Sequence, residues 1–186
     1  MDNDNEDIGD GQDAFNGDRT RQAASLVSFT EELRDSSGDN DVLIMGDMNA
    51  YTEEDPIQVR RGAGFTDIGS LLDEGRYSFV FNALSGSLDH AMSSDALTGK
   101  VTGLAHWNIN AVESFAYQYD GDPALYAENP FRSSDHDPLV LGIDLEERCA
   151  GLGELRVHLA DALEFDFRAL RGNGAPLRLV GNLPYN

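Results

Sequence analysis

Lysine is all but missing from this chain of 186 residues: Lys100 is the single one, and 13 basic residues face 34 acidic ones for a formal charge of −21. A polyanion repels nucleic acid at long range, which excludes a module that grips phosphates through a basic patch. It leaves room for an enzyme whose divalent cation bridges protein carboxylates and a phosphate. Cysteine is also scarce. Cys149 stands alone, so no intrachain disulfide and no thiolate metal cluster can form. No apolar run approaches the length of a membrane span. The first residues are rich in Asp, Asn and Gly; without a hydrophobic stretch they do not read as a secretion signal. Residues 1–17 are expected to be an acidic, disordered loop.

What is present suffices for a core, since 40% of residues are hydrophobic. A helix is predicted over 18–35, capped by Asp18, with Ala23, Leu26, Val27, Thr30 and Leu33 at helical spacing. Ser36 to Asn40 breaks it, and Val42 to Met45 reads as a fully buried strand. A short helix is expected from near Pro56 to Gly62 or Gly64. Phe65 to Leu72 is ambiguous. Tyr77 to Phe81 reads as a strand, paired in a hairpin with the strand that holds Asp89. Trp107 to Asn110 suggests a further short strand, and Asp120 to Pro130 a long loop.

Three stretches set Asp residues at strand ends. Val42-Leu43-Ile44-Met45 runs into Gly46-Asp47-Met48-Asn49. Ser87-Leu88-Asp89-His90-Ala91-Met92 lies between turn signals, and Arg132-Ser133-Ser134-Asp135-His136-Asp137-Pro138 feeds the apolar Leu139 to Ile143. Side chains at strand ends are held by the ladder, so their geometry can be fixed for chemistry. In this order the motifs, with Glu54-Asp55-Pro56-Ile57 after the first, resemble the second half of the endonuclease/exonuclease/phosphatase superfamily. The likeness is to large secreted bacterial nucleases and covers roughly residues 10 to 145.

That resemblance implies metal-dependent phosphodiester hydrolysis, with Mg²⁺ (or Mn²⁺ or Ca²⁺) as cofactor and nucleic acid held through the metal. It implies an extracellular or periplasmic location and no membrane partner. Asp47 would position and deprotonate the attacking water, and Asn49 would donate to the phosphate. His136 would act as general acid/base, Asp89 would fix its tautomer, and Asp135 would serve the metal. Arg132 would contact the phosphate or pair with nearby acids. His90 is expected to be structural, since strand alternation turns it away from Asp89. His106 has no nameable partner. Glu53, Glu54 and Asp55 read as a solvated acidic loop. The family's first half, with its metal Glu, has no counterpart here, so the chain alone is expected to be inactive as a nuclease.

Composition shifts after Leu145, with a junction over 147–154. In the segment 155–186, Val157 to Leu163 and Pro176 to Asn186 resemble ribosomal RNA adenine dimethyltransferases. By that likeness Asn182 would bond the amine of the target adenine, Pro184 would shape its pocket, and Tyr185 would stack on it. Asp161 would lie near the adenine of S-adenosylmethionine. The glycine-rich cofactor loop of such folds is not evident.

The expected fold class is therefore α/β, half of a four-layer α/β sandwich: a mixed, mostly antiparallel sheet plus helix over 18–146, and a short fragmentary α/β tail. The leading functional expectation is a nuclease-like phosphodiesterase. The alternatives are a fragment of an S-adenosylmethionine-dependent rRNA adenine dimethyltransferase, or a non-catalytic fusion fragment.

Overall fold

The computed structural model describes residues 6–118 and 121–144. Two compact units divide the chain, Met1–Asp144 and Leu145–Asn186. The description below concerns the first. Asp161, Asn182, Pro184 and Tyr185 lie outside the described residues.

The class is α/β, with every described strand pair antiparallel. Helix α1 spans Asn16–Ser37, longer at both ends than the sequence pattern suggested. Its start is Phe15 in the left-handed region with no side-chain cap; Asp18 instead sits in the first turn, where its charge favours the helix dipole. Gly38, at φ 70°, ends it by donating its N–H to the Arg34 carbonyl. Residues 6–15 are not featureless. Asp7 and Asp10 carboxylates accept backbone N–H groups two residues on, and Arg19 donates to the carbonyls of Asp13 and Ala14, which ties the segment to α1.

Strand β1 (Leu43–Asp47) pairs with β5 (Asp89–Ser94), and β5 pairs with β2 (Phe65–Asp67), giving the order β1-β5-β2. The ambiguous stretch is thus β2 followed by helix α3 (Ile68–Leu72), whose cap is Asp67 accepting from the N–H groups of Gly69 and Ser70. Helix α2 (Asp55–Gly62) starts with Pro56 in its first turn, where a missing N–H costs nothing. It packs on α1.

Three expectations are corrected. β1 is an edge strand, not a fully buried one: Ile44 is buried, but Leu43 and Met45 are 36% and 39% exposed. The hairpin of β3 (Phe79–Phe81) is with β4 (Leu84–Gly86), not with the strand of Asp89. Its two-residue turn is Asn82-Ala83, both at positive φ, as tight hairpins require. The strand expected at Trp107–Asn110 is instead the turn that follows β6 (Val101–His106), which pairs with β7 (Leu139–Ile143).

The core comprises Ile44, Ala50, Ile57, Phe65 and Met92, with Leu26, Val42, Met48 and Ala63 packed around it. It lies between the helices and one face of the β1-β5-β2 sheet. The rims of that sheet and of β7 carry the candidate site.

Candidate functional site

Register places Asp47 directly across from Asp89, each at the end of its strand. The chain then turns. Met48 donates its N–H to the Leu88 carbonyl at 2.9 Å. Asn49 adopts φ 47°, a conformation Asn tolerates. The Asp47 carboxylate accepts the Asn49 N–H at 2.8 Å and its amide at 3.4 Å. Asp47 and Asn49 therefore form an Asx turn, and the Asn49 carbonyl takes the Arg19 guanidinium at 2.7 Å.

Asp89 is fixed by Ser78, which is fully buried. The Ser78 hydroxyl accepts the N–H groups of Leu88 and Asp89 at 3.1 and 3.0 Å. His136 comes in from the turn before β7, and its Nδ1 lies 2.7 Å from Asp89 Oδ2. That contact assigns the ring proton to Nδ1 and leaves Nε2 as the second proton site. The Phe79 ring packs on the imidazole with 4.6 Å between centroids. The hydrogen bond to Asp89 pushes the His136 pKa up; burial opposes, and the charges of Asp89, Asp47 and Asp135 add to the rise.

The turn itself is built by Asp137, 1% exposed. One carboxylate oxygen accepts the N–H groups of Ile109, Asn110 and Ala111 at 2.8 to 3.0 Å, and the other takes the Asn108 amide at 2.7 Å. The Asn110 amide returns a bond to the His136 carbonyl at 2.7 Å. A buried carboxylate with four donors is a structural anchor.

The structure thus brings Asp47, Asn49, Asp89 and His136 to one rim, with Asp135 close enough to act on His136 by charge. Arg132 serves differently. It is buried, donates to the Asn110 carbonyl at 2.5 Å and to Gln118 at 3.4 Å, and stacks over Phe115. Its guanidinium holds the 110–118 loop through these contacts. The acidic loop at 53–55 also differs from expectation, because Glu54 is buried and paired with Arg19.

Sequence reasoning did not single out Ser78 or Asp137, nor the partners of His90 and His106. His90 is buried, with Nε2 2.9 Å from the Ala50 carbonyl and Nδ1 3.4 Å from Asp67. His106 Nδ1 lies 2.9 Å from Asp73. Asp73 is 33 residues away in sequence, and no local pattern marks so distant a pair.

Comparison with known proteins points to the other end of the functional range. No family model matches the chain, and no solved structure matches it. The chain is similar to Ribosomal RNA small subunit methyltransferase A of Nitrosococcus oceani, 60% identical over 42 residues, which are 23% of this chain and 16% of that protein. It is similar to the protein of the same name from Cupriavidus taiwanensis, 66% identical over 95 residues, 45% of this chain and 32% of that one. The like-named protein of Acidithiobacillus ferrooxidans is 70% identical over 33 residues, 18% of this chain and 12% of that protein. The chain therefore spans from about an eighth to a third of the length of these relatives. The 42-residue match has the length of the second unit, Leu145–Asn186.

The expectation of a secreted, magnesium-dependent hydrolase or nuclease is corrected by these findings. The relatives are named rRNA methyltransferases, and they give no support to secretion. Among the described residues, no group of three His, Cys, Asp or Glu is placed to hold a metal ion. The physical reason lies in the partners: Asp89 is engaged by His136, Asp137 by four N–H donors, and Asp47 by its own turn. Among the described residues no helix is long and apolar enough to cross a membrane.

Proposed function

We propose that the chain carries a segment of an S-adenosylmethionine-dependent rRNA adenine dimethyltransferase. The observation behind this reading is the 60% identity over 42 residues to a protein named Ribosomal RNA small subunit methyltransferase A. Identity of that order over a stretch the length of the second unit is far above chance resemblance. The Asn182-Leu183-Pro184-Tyr185 segment supplies the chemistry such an enzyme needs at its target. The amide oxygen accepts from the exocyclic amine, a proline stiffens the pocket wall, and a phenol ring stacks on the base. Asp161 accepts a hydrogen bond from the adenine end of S-adenosylmethionine, and the cofactor when bound supplies the methyl group. The substrate is ribosomal RNA, met through stacking and base-edge hydrogen bonds, because the acidic chain gives little attraction to phosphate.

The test is a thermal shift of the full chain in S-adenosylmethionine. A ligand at a hundred times its Kd stabilises by about 2.7 kcal/mol, so a rise of several degrees is expected. Asp161→Ala should abolish it. A transition that does not move, or that moves equally in the Asp161 variant, defeats the reading.

A second reading concerns the first unit and rests on the 2.7 Å contact between His136 and Asp89. Here we infer an acid–base centre, in which His136 moves protons through Nε2. Asp89 holds its tautomer, while Asp47 and Asp135 raise its basicity. Asn49 presents a neutral amide beside it. Replacing His136 with Gln should leave the fold intact and remove the one imidazole whose titration Asp89→Asn shifts.

A further inference from the structure

A second arrangement of reactive groups, distinct from the His136–Asp89 pair, lies on the wall of a cavity of about 210 Å³. Ser87, His106 and Asp73 all line it. Asp73 Oδ2 lies 2.9 Å from His106 Nδ1 and also accepts the His106 backbone N–H at 2.9 Å. A carboxylate can only accept here, so the ring proton sits on Nδ1 and Nε2 presents its lone pair. Nε2 lies 3.2 Å from the Ser87 hydroxyl. The imidazole side chain is 2% exposed, so its orientation is fixed by packing. On the far side Gly69 brings α3 close: a Cβ there would meet His106 Cε1 at 3.6 Å.

We propose that Ser87 is an activated nucleophile, with His106 as its base and Asp73 as the positioning residue, and that the cavity takes a small ester-type acyl donor. Ser87 also donates to the Asp89 carbonyl at 2.7 Å. Its single proton therefore chooses between two acceptors, and rotation about Cβ–Oγ re-aims it at Nε2. Such bonds are commonly long before substrate enters. In the step itself, the Ser87 Oγ–carbon bond forms as the proton passes to Nε2. The bond from carbon to the leaving oxygen then breaks, and that oxygen carries the proton away. Asp73 keeps the tautomer and balances the imidazolium. The two arginines of the cavity wall are already paired, Arg61 with Asp67 at 3.4 Å and Arg76 with Asp73 at 3.6 Å, so an uncharged donor fits better than an anion.

The probe is a small alkyl fluorophosphonate on the full chain, read by intact mass and peptide mapping. Attack by Ser87 forms an Oγ–phosphorus bond, expels fluoride and leaves a stable adduct. One adduct at Ser87 is expected, absent in Ser87→Ala. The labelling rate should fall roughly a hundredfold or more in His106→Gln and at least tenfold in Asp73→Asn. It should recover in Asp73→Glu, a rescue that a purely structural role would not give. Should His106→Gln lose the native far-UV spectrum, the Asp73 pair decides. Absence of an adduct, an adduct at another residue, or a rate indifferent to both Asp73 variants overturns the proposal. None of these outcomes depends on binding of S-adenosylmethionine.

Discussion

Asp137 donates its backbone N–H to the Ser78 carbonyl at 2.7 Å, and through that bond the turn holding His136 is fastened to the segment that holds Asp89. Ser78 acts in both directions at once. Its carbonyl takes Asp137, and its hydroxyl takes the N–H groups of Leu88 and Asp89. The dyad is thus set by a buried serine that binds the backbone on both sides of it. Ser78→Ala should leave two N–H groups without an acceptor and cost about 1–3 kcal/mol in urea denaturation. It should also lower the His136 pKa toward its ordinary value, because the Asp89 backbone is no longer pinned. Unchanged stability and an unchanged titration would show that the staple is unimportant.

The His136 titration carries its own stability signature. Its folded pKa is raised above 6.5, first by the hydrogen bond to Asp89. A raised pKa contributes stability that is fully present below 6.5 and is lost as pH rises through the folded value. Asp89→Asn keeps an acceptor but removes the charge. In NMR titration the His136 ring should then ionise at lower pH, and the loss of stability over that window should shrink. If the two proteins show parallel stability between pH 6 and 9, roughly, the pair contributes nothing by linkage.

Much of this site is legible in the sequence, because it sits at strand ends where chain order and register agree. Asp47, Asp89 and His136 follow apolar runs or turn signals that local periodicity reveals. What periodicity cannot reveal is which strand pairs with which. Tyr77 to Phe81 reads as a partner for the strand of Asp89, yet Leu84–Gly86 closes the hairpin and β5 crosses to β1 and β2. The exposure of β1 escapes the sequence for the same reason, since a four-residue apolar run does not say whether its strand is central or at an edge. Asp137 shares its motif with His136 but nothing local marks its role, and only the fold brings three backbone N–H groups to it.

The β3–β4 turn departs from the sequence its geometry prefers. Asn82 and Ala83 both have positive φ, at 49° and 63°, and the second position of such a turn favours Gly. An alanine there places Cβ against the following carbonyl, at a cost of about 1–2 kcal/mol. Ala83→Gly relieves that contact but frees the unfolded chain, offsetting about 0.4–1 kcal/mol. A net gain near 0.5–1 kcal/mol is expected by thermal or urea unfolding. A destabilised Gly variant would mean that the turn is not formed in solution.

Asp67 should govern acid stability. Burial pushes its carboxyl up, but the hydrogen bond and charge of His90, with the bonds from Ser70, outweigh burial and hold it down to about 2, against an ordinary 3.8. A depressed pKa contributes stability that is present above 3.8 and is lost as pH falls through about 2. The shift corresponds to about 2 kcal/mol at neutral pH. Asp67→Asn should be weaker than the parent by about that amount near pH 7, where the carboxylate also caps α3 and meets Arg61. As acid is added the two proteins should converge, because a neutral group then faces His90 in both. A gap that persists undiminished below about pH 2, or never opens at pH 7, would show that packing rather than charge holds this position.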